Sequence, residues 1–115
     1  MANIEKLFQD SKSAYDSDKR YMACVDLSKA LTADQGAYDE KLKEKIFSLF
    51  IKMLNDESEE VQQAATKAIS LCVTKISPSQ VSELIIQLSQ KIYDDERYRD
   101  VYSDCLQNII SNANE

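Results

Sequence analysis

Three thiols and several runs of carboxylates are the groups in this 115-residue chain that could do chemistry. Cys24, Cys72 and Cys105 would act as nucleophiles or soft metal ligands only as thiolates. The chain has no histidine and no Cys-x-x-Cys pair, so a zinc site would need three scattered thiolates plus a carboxylate. Without histidine, neither a Ser-His-Asp nor a Cys-His arrangement can be built. A single glycine leaves no phosphate-cradling loop of the P-loop or dinucleotide kind. Asp94-Asp95-Glu96 offers carboxylates to calcium but lacks the spaced ligands and turn glycine of an EF-hand loop. Glu40, Lys43 and Glu44 read as an ordinary solvated helix surface. Catalytic, cofactor-binding and metal-binding residues are therefore expected to be none. Each cysteine falls among apolar residues at helical spacing and is expected to be a small buried hydrophobe.

The carboxylates mark a repeat instead. Acidic turns at Asp16-Ser17-Asp18, Asn55-Asp56-Glu57-Ser58 and Asp94-Asp95-Glu96 each stand between two apolar-periodic segments. A period of about 40 residues with two helices per copy is the spacing of HEAT-type repeats. The expected fold is all-α, a right-handed α-solenoid of about three helical pairs in one domain, 1–115, with repeats at about 1–37, 38–76 and 77–115. One glycine and one proline leave few places for tight hairpins, which argues against a β-rich alternative.

Periodicity and caps place six helices. Ile4, Leu7 and Phe8 mark the first, ending near Ser13. Asp16 or Asp18 caps the second, whose Met22, Ala23, Leu27, Ala30 and Leu31 keep helical spacing to about Thr32. A loop containing Gly36 follows. The third helix, from Asp39, carries Leu42, Ile46, Leu49, Phe50, Met53 and Leu54. Ser58 is the expected cap of the fourth, with Val61, Ala64, Ala65, Ala68, Ile69, Cys72 and Val73 in one stripe. Pro78 suits the first turn of the fifth, where its missing N–H has no helical partner. Tyr98 to Ile110 form the sixth.

Superposing the copies separates core from surface. A shift of 39 residues carries Lys52-Met53-Leu54-Asn55-Asp56 onto Lys91-Ile92-Tyr93-Asp94-Asp95. In the second helices Ala23, Ala65 and Tyr102 share a column, as do Leu27, Ile69 and Leu106, and Leu31, Val73 and Ile110. The opposite face holds the rows Arg20, Gln62, Arg99; Tyr21, Gln63, Asp100; and Val25, Lys67, Asp104. Second helices line the concave side of such a solenoid, so these nine residues are the candidate partner-binding face. Tyr21 is either a contact anchor or packed against the first helix. Asp26 shares its column with Ala68 and Cys105 and is expected to accept hydrogen bonds from Tyr38 to Lys41.

Composition excludes some partners. Net charge is −6 and the basic residues form no block, so nucleic acid is not expected. No run approaches the apolar length needed to span a bilayer, and the N-terminus is interrupted by charges, so no membrane association is expected and the location is read as cytoplasmic or nuclear. The last repeat would ordinarily be covered by a fourth. Val101, Cys105 and Ile109 are expected to be partly uncovered and to invite self-association.

The stretch Ser17-Asp18-Lys19-Arg20-Tyr21-Met22-Ala23 followed by Asp26-Leu27 resembles the opening of the cullin-associated neddylation-dissociated proteins. Leu54-Asn55-Asp56 with Glu60-Val61-Gln62, Val73-Thr74-Lys75 before Gln80-Val81, and Arg99-Asp100 before Leu106 match that family's first repeats in order and spacing. The resemblance implies a non-catalytic scaffold that binds the C-terminal region of a cullin and its RING subunit, within a family that exchanges substrate receptors on cullin-RING ubiquitin ligases. The family's proteins are far longer, so the chain is expected to be the N-terminal piece of a longer solenoid or a short homologue. The generic repeat columns alone would also suit a HEAT adaptor of another class, such as a transport receptor or phosphatase scaffold segment.

Overall fold

A computed structural model describes residues 4–13, 15–34 and 36–113. Six helices follow one another: α1 (Ile4–Ser11), α2 (Ser17–Thr32), α3 (Glu40–Met53), α4 (Glu59–Cys72), α5 (Pro78–Asp94) and α6 (Arg99–Ala113), with short 3-10 turns at Val73–Lys75 and Glu96–Tyr98. Their starts follow from side chains that satisfy otherwise unpaired backbone N–H groups. The Asp16 carboxylate accepts from Lys19 N–H, and Asp39 accepts from Leu42 N–H. Ser77 and Gln80 form a reciprocal capping box, with Pro78 in the first turn. The expected Ser58 side-chain cap is absent: Ser58 has the cap conformation, but its own N–H donates to the Asp56 carboxylate at 2.8 Å.

The two helices of each pair pack on one another, and α2, α4 and α6 lie side by side in chain order. α1, α3 and α5 make far fewer close approaches among themselves, so the first helices splay while the second helices close up. This is an all-α solenoid. Its shortest dimension, 20 Å, is two helix diameters. Small residues allow the helices to approach closely: Ala23, Ala65 and Ala68 are buried with almost no exposed surface. Between the layers lie Phe8, Leu27, Leu31, Ile46, Phe50, Leu54, Ile69 and Leu88. Tyr102, also fully buried, donates its hydroxyl to Asp95 at 3.2 Å.

Two expectations about column positions need correcting. Val101, Cys105 and Ile109 do not form an uncovered end, since Cys105 and Ile109 are fully buried and Val101 half-buried. These residues point back toward α4. The uncovered positions of the third pair are those whose counterparts in the second pair face forward. Leu54 is 0% exposed and its counterpart Tyr93 is 82% exposed; likewise Phe47 is buried and Ile86 exposed, and Val73 is buried and Ile110 exposed. Ile110 therefore does not extend the buried column of Leu31 and Val73.

Asp26 is the second correction. Ser28, on the same helix, touches Cys72 of α4, whose thiol lies 3.7 Å from the Ser28 carbonyl oxygen. At about 100° per residue, Asp26 lies roughly 200° around α2 from Ser28. Ala68 and Cys105 use this side to meet the preceding second helix, whereas no described second helix lies against it on α2. Asp26 is half-buried and makes no hydrogen bond to Tyr38–Lys41. The loop is held by Asp34 instead, which accepts from Ala37 N–H at 2.8 Å and Tyr38 N–H at 3.3 Å.

Candidate protein-binding face

Three side chains of the first candidate row tie each second helix to the turn before it. Arg20 Nη1 donates to the carbonyl oxygen of Ser13 at 2.7 Å, Gln62 Nε2 to that of Asp56 at 2.6 Å, and Arg99 Nε to that of Ile92 at 3.2 Å. Each latch spans six or seven residues, across the acidic turn. The same column thus performs the same local task three times, with a guanidinium or an amide as donor.

In the first repeat the latch reaches further. Arg20 Nε and Nη2 donate to the two Asp56 carboxylate oxygens at 2.7 and 3.1 Å, a bidentate pair between the first and second repeats. The side chains are only 14% and 11% exposed. The hydrogen bond donated to Asp56 outweighs partial burial and raises the already high guanidinium pKa. Arg99 makes only a looser pair, 3.6 Å from Glu96, and its side chain remains exposed. Arg20 and Gln62 were expected on the partner face; the structure half-buries both in contacts within the chain.

The remaining candidate rows stay open. Tyr21, Gln63 and Asp100 are exposed, as are Lys67 and Asp104, while Val25 is half-buried. These positions lie on the side of α2, α4 and α6 opposite Ala23, Leu27 and Leu31 and their counterparts, so they face away from the first helices.

Two further residues on this side were not among the candidates. Met22 is 53% exposed and Leu71 is 52% exposed. Met22 fits the apolar spacing of α2 but belongs to none of the buried columns. Its counterparts Ala64 and Val101 are half-buried, which sets it on the outward edge of that stripe. Leu71 is the counterpart of Lys29 and Asn108, both exposed; a leucine in a polar column was the available signal.

The three thiols are withdrawn from solvent. Burial pushes the Cys24, Cys72 and Cys105 thiols up to about 12, 11 and 12, with the neighbouring Cys72 adding to the effect on Cys24. Among the described residues there is no group of three or more Cys, Asp or Glu side chains placed to hold a metal ion. The splayed first-helix layer leaves a groove of about 540 Å³ between α3 and α5, with Phe47, Ile51, Ile76 and Leu84 below and Lys43 and Glu83 at its sides. No helix among the described residues is long and apolar enough to cross a membrane.

Comparison with known proteins matches residues 2–110 to the family described as stalled ribosome sensor GCN1-like, HEAT repeats. The chain is 31% identical over 109 residues to cullin-associated NEDD8-dissociated protein 2 of Mus musculus, covering 94% of this chain and 9% of that protein. It is 29% identical over 103 residues to cullin-associated NEDD8-dissociated protein 1 of Drosophila melanogaster, covering 89% and 8% respectively. Against protein 1 of Dictyostelium discoideum the identity is 27% over 106 residues, covering 90% and 9%. The chain spans less than a tenth of the length of these relatives.

Proposed function

The chain belongs to the GCN1-like HEAT-repeat family, and from that membership we propose that it is a non-catalytic scaffold segment that binds protein along its second helices. In this reading the partner is a cullin lacking NEDD8, engaged at its C-terminal region together with the RING subunit, and the setting is regulation of ubiquitin ligases in the cytoplasm or nucleus. The observation that carries the reading is the alignment of about nine-tenths of the chain with relatives named for cullin association. The open rows of α2, α4 and α6 support it by offering a surface on parallel helices held in register. Exchange of substrate receptors is assigned to the longer proteins, and binding alone to this segment.

A pull-down of purified unmodified and NEDD8-modified cullin–RING complexes on the immobilised chain tests this. Retention of the unmodified complex in clear excess is the expected result. Equal retention of both, or of neither, sinks the reading in favour of a HEAT adaptor outside the ligase system. That rival draws on the family match, which bears the name of a ribosome sensor.

A second interaction is proposed at the α5–α6 end, where Ile86, Tyr93 and Ile110 are exposed in columns that the second repeat buries. Self-association through this end predicts a mass in light scattering that rises with concentration. Tyr93→Lys with Ile86→Lys should hold the protein monomeric, whereas a monomer at all concentrations would contradict it.

A further inference from the structure

The second-helix face has an uneven chemistry that specifies the partner segment it would hold. Its exposed apolar atoms come from Tyr21, Met22 and Leu71, with half-buried Val25 and Ala64 on the same two helices. Acidic residues line two edges of this patch. Asp18 and Glu60 stand in the first turns of α2 and α4, and Asp100 and Asp104 occupy the outward side of α6. None of these four is in an ion pair among the described residues. Arg99 is the one basic residue of α6 and is held by the Ile92 carbonyl oxygen and Glu96, so the α6 acids draw no ion pair from their own helix. Lys67 of the adjacent α4 shares a row with Asp104 but forms no ion pair among the described residues, and Lys29 stands on α2, beyond α4 from α6.

We infer that this face takes a protein segment presenting an apolar anchor flanked by Lys or Arg, the anchor seated on Met22, Tyr21 and Leu71 and the cations over Asp100 and Asp104. Apolar contact supplies affinity that survives salt, and the α6 carboxylates fix which way the segment lies. An acidic segment meets like charge along two edges. This deepens the scaffold reading and rests on its assignment of the second helices as the binding side.

The test uses the full 115-residue chain and two fluorescein-labelled amphipathic helical peptides sharing one leucine stripe, one with Lys and Arg at its polar positions and one with Glu. By anisotropy the basic peptide should bind about tenfold tighter or more. Met22→Gln with Leu71→Gln should weaken it several-fold. Asp100→Lys with Asp104→Lys should invert the preference between peptides. Asp104→Lys alone, outside the first helical turn, should narrow the preference without touching the helix start. Far-UV circular dichroism should match the unsubstituted chain throughout. Equal binding of both peptides, or indifference to all these substitutions, overturns the inference. Assaying the same variants against an unmodified cullin–RING complex separates the two proposals. If that complex binds every variant as well as the parent chain, this inference falls and the cullin reading stands. If the basic peptide binds in the face-dependent way while no cullin complex is retained, the inference stands and the cullin reading falls.

Discussion

Arg20 and Asp56, 36 positions apart in the chain, meet through two hydrogen bonds of 2.7 and 3.1 Å between guanidinium and carboxylate. The pair joins the start of α2 to the turn between α3 and α4. Because Arg20 also reaches the Ser13 carbonyl oxygen and Asp56 receives the Ser58 N–H, one small network sets the relation of the first two acidic turns.

Removing either partner should therefore cost stability. Arg20→Met and Asp56→Asn are each expected to lower unfolding free energy by about 1–3 kcal/mol, since each leaves a partly buried polar group without its counterpart. The double variant should lose less than the sum of the singles. Urea denaturation of all four proteins measures the coupling, and strictly additive losses would show that the pair acts as two independent surface groups.

Ala65→Arg tests how closely α4 packs on α3. Ala65 is fully buried in α4, so an unpaired guanidinium there is expected to cost several kcal/mol and abolish the cooperative thermal transition. A sharp transition near the parent temperature would mean that α3 and α4 leave room for a large side chain between them.

Much of this architecture was legible in the residues. Asp16, Asp39 and Pro78 mark helix starts because those signals are local, a side chain accepting from an N–H three residues on or, at Pro78, an N–H that is not needed. The columns of Ala23 with Ala65 and of Leu27 with Ile69 marked buried positions because each faces its own first helix. Columns that face a neighbouring repeat were not legible in the same way. Asp26 and Ala68 share a register, but α4 has a second helix before it to cover Ala68 and α2 has none described there. Arg20 fitted the polar face by spacing, while its reach to Asp56 depends on the shape of two turns. Leu71 was overlooked because helical periodicity alone does not distinguish an apolar residue on the open side from one at the edge of the core.

The buried thiols and Tyr102 give a pH dependence with a definite sign. Cys24, Cys72 and Cys105 are pushed from an ordinary value of 9.0 up to about 12, 11 and 12, by burial first. Burial and the nearby Asp95 carboxylate push Tyr102 from 10.0 up to about 12. The unfolded chain releases these protons at lower pH than the folded one, so the stability they contribute is fully present below about pH 9 and is lost as pH rises through about 11–12. Denaturation midpoints should fall across that window. Native protein should also react slowly with a thiol reagent at neutral pH and rapidly once unfolded; fast native labelling of a thiol would contradict its burial.

Gly36 isolates a backbone effect. Its φ of +103° is a conformation that side-chain-bearing residues rarely adopt, yet nothing lies within 4 Å of where a Cβ would stand. Gly36→Ala should therefore cost about 1 kcal/mol through strain alone. A neutral or stabilising result in thermal denaturation would show that the loop relaxes to a negative φ.

The proposed binding of a cullin lacking NEDD8 is tested by paired affinity measurements on one cullin–RING preparation, before and after NEDD8 attachment. Biolayer interferometry with the immobilised chain should show saturable binding to the unmodified complex, about tenfold or more tighter than to the modified one. Indistinguishable affinities, or no saturable binding to the unmodified complex, would contradict the claim.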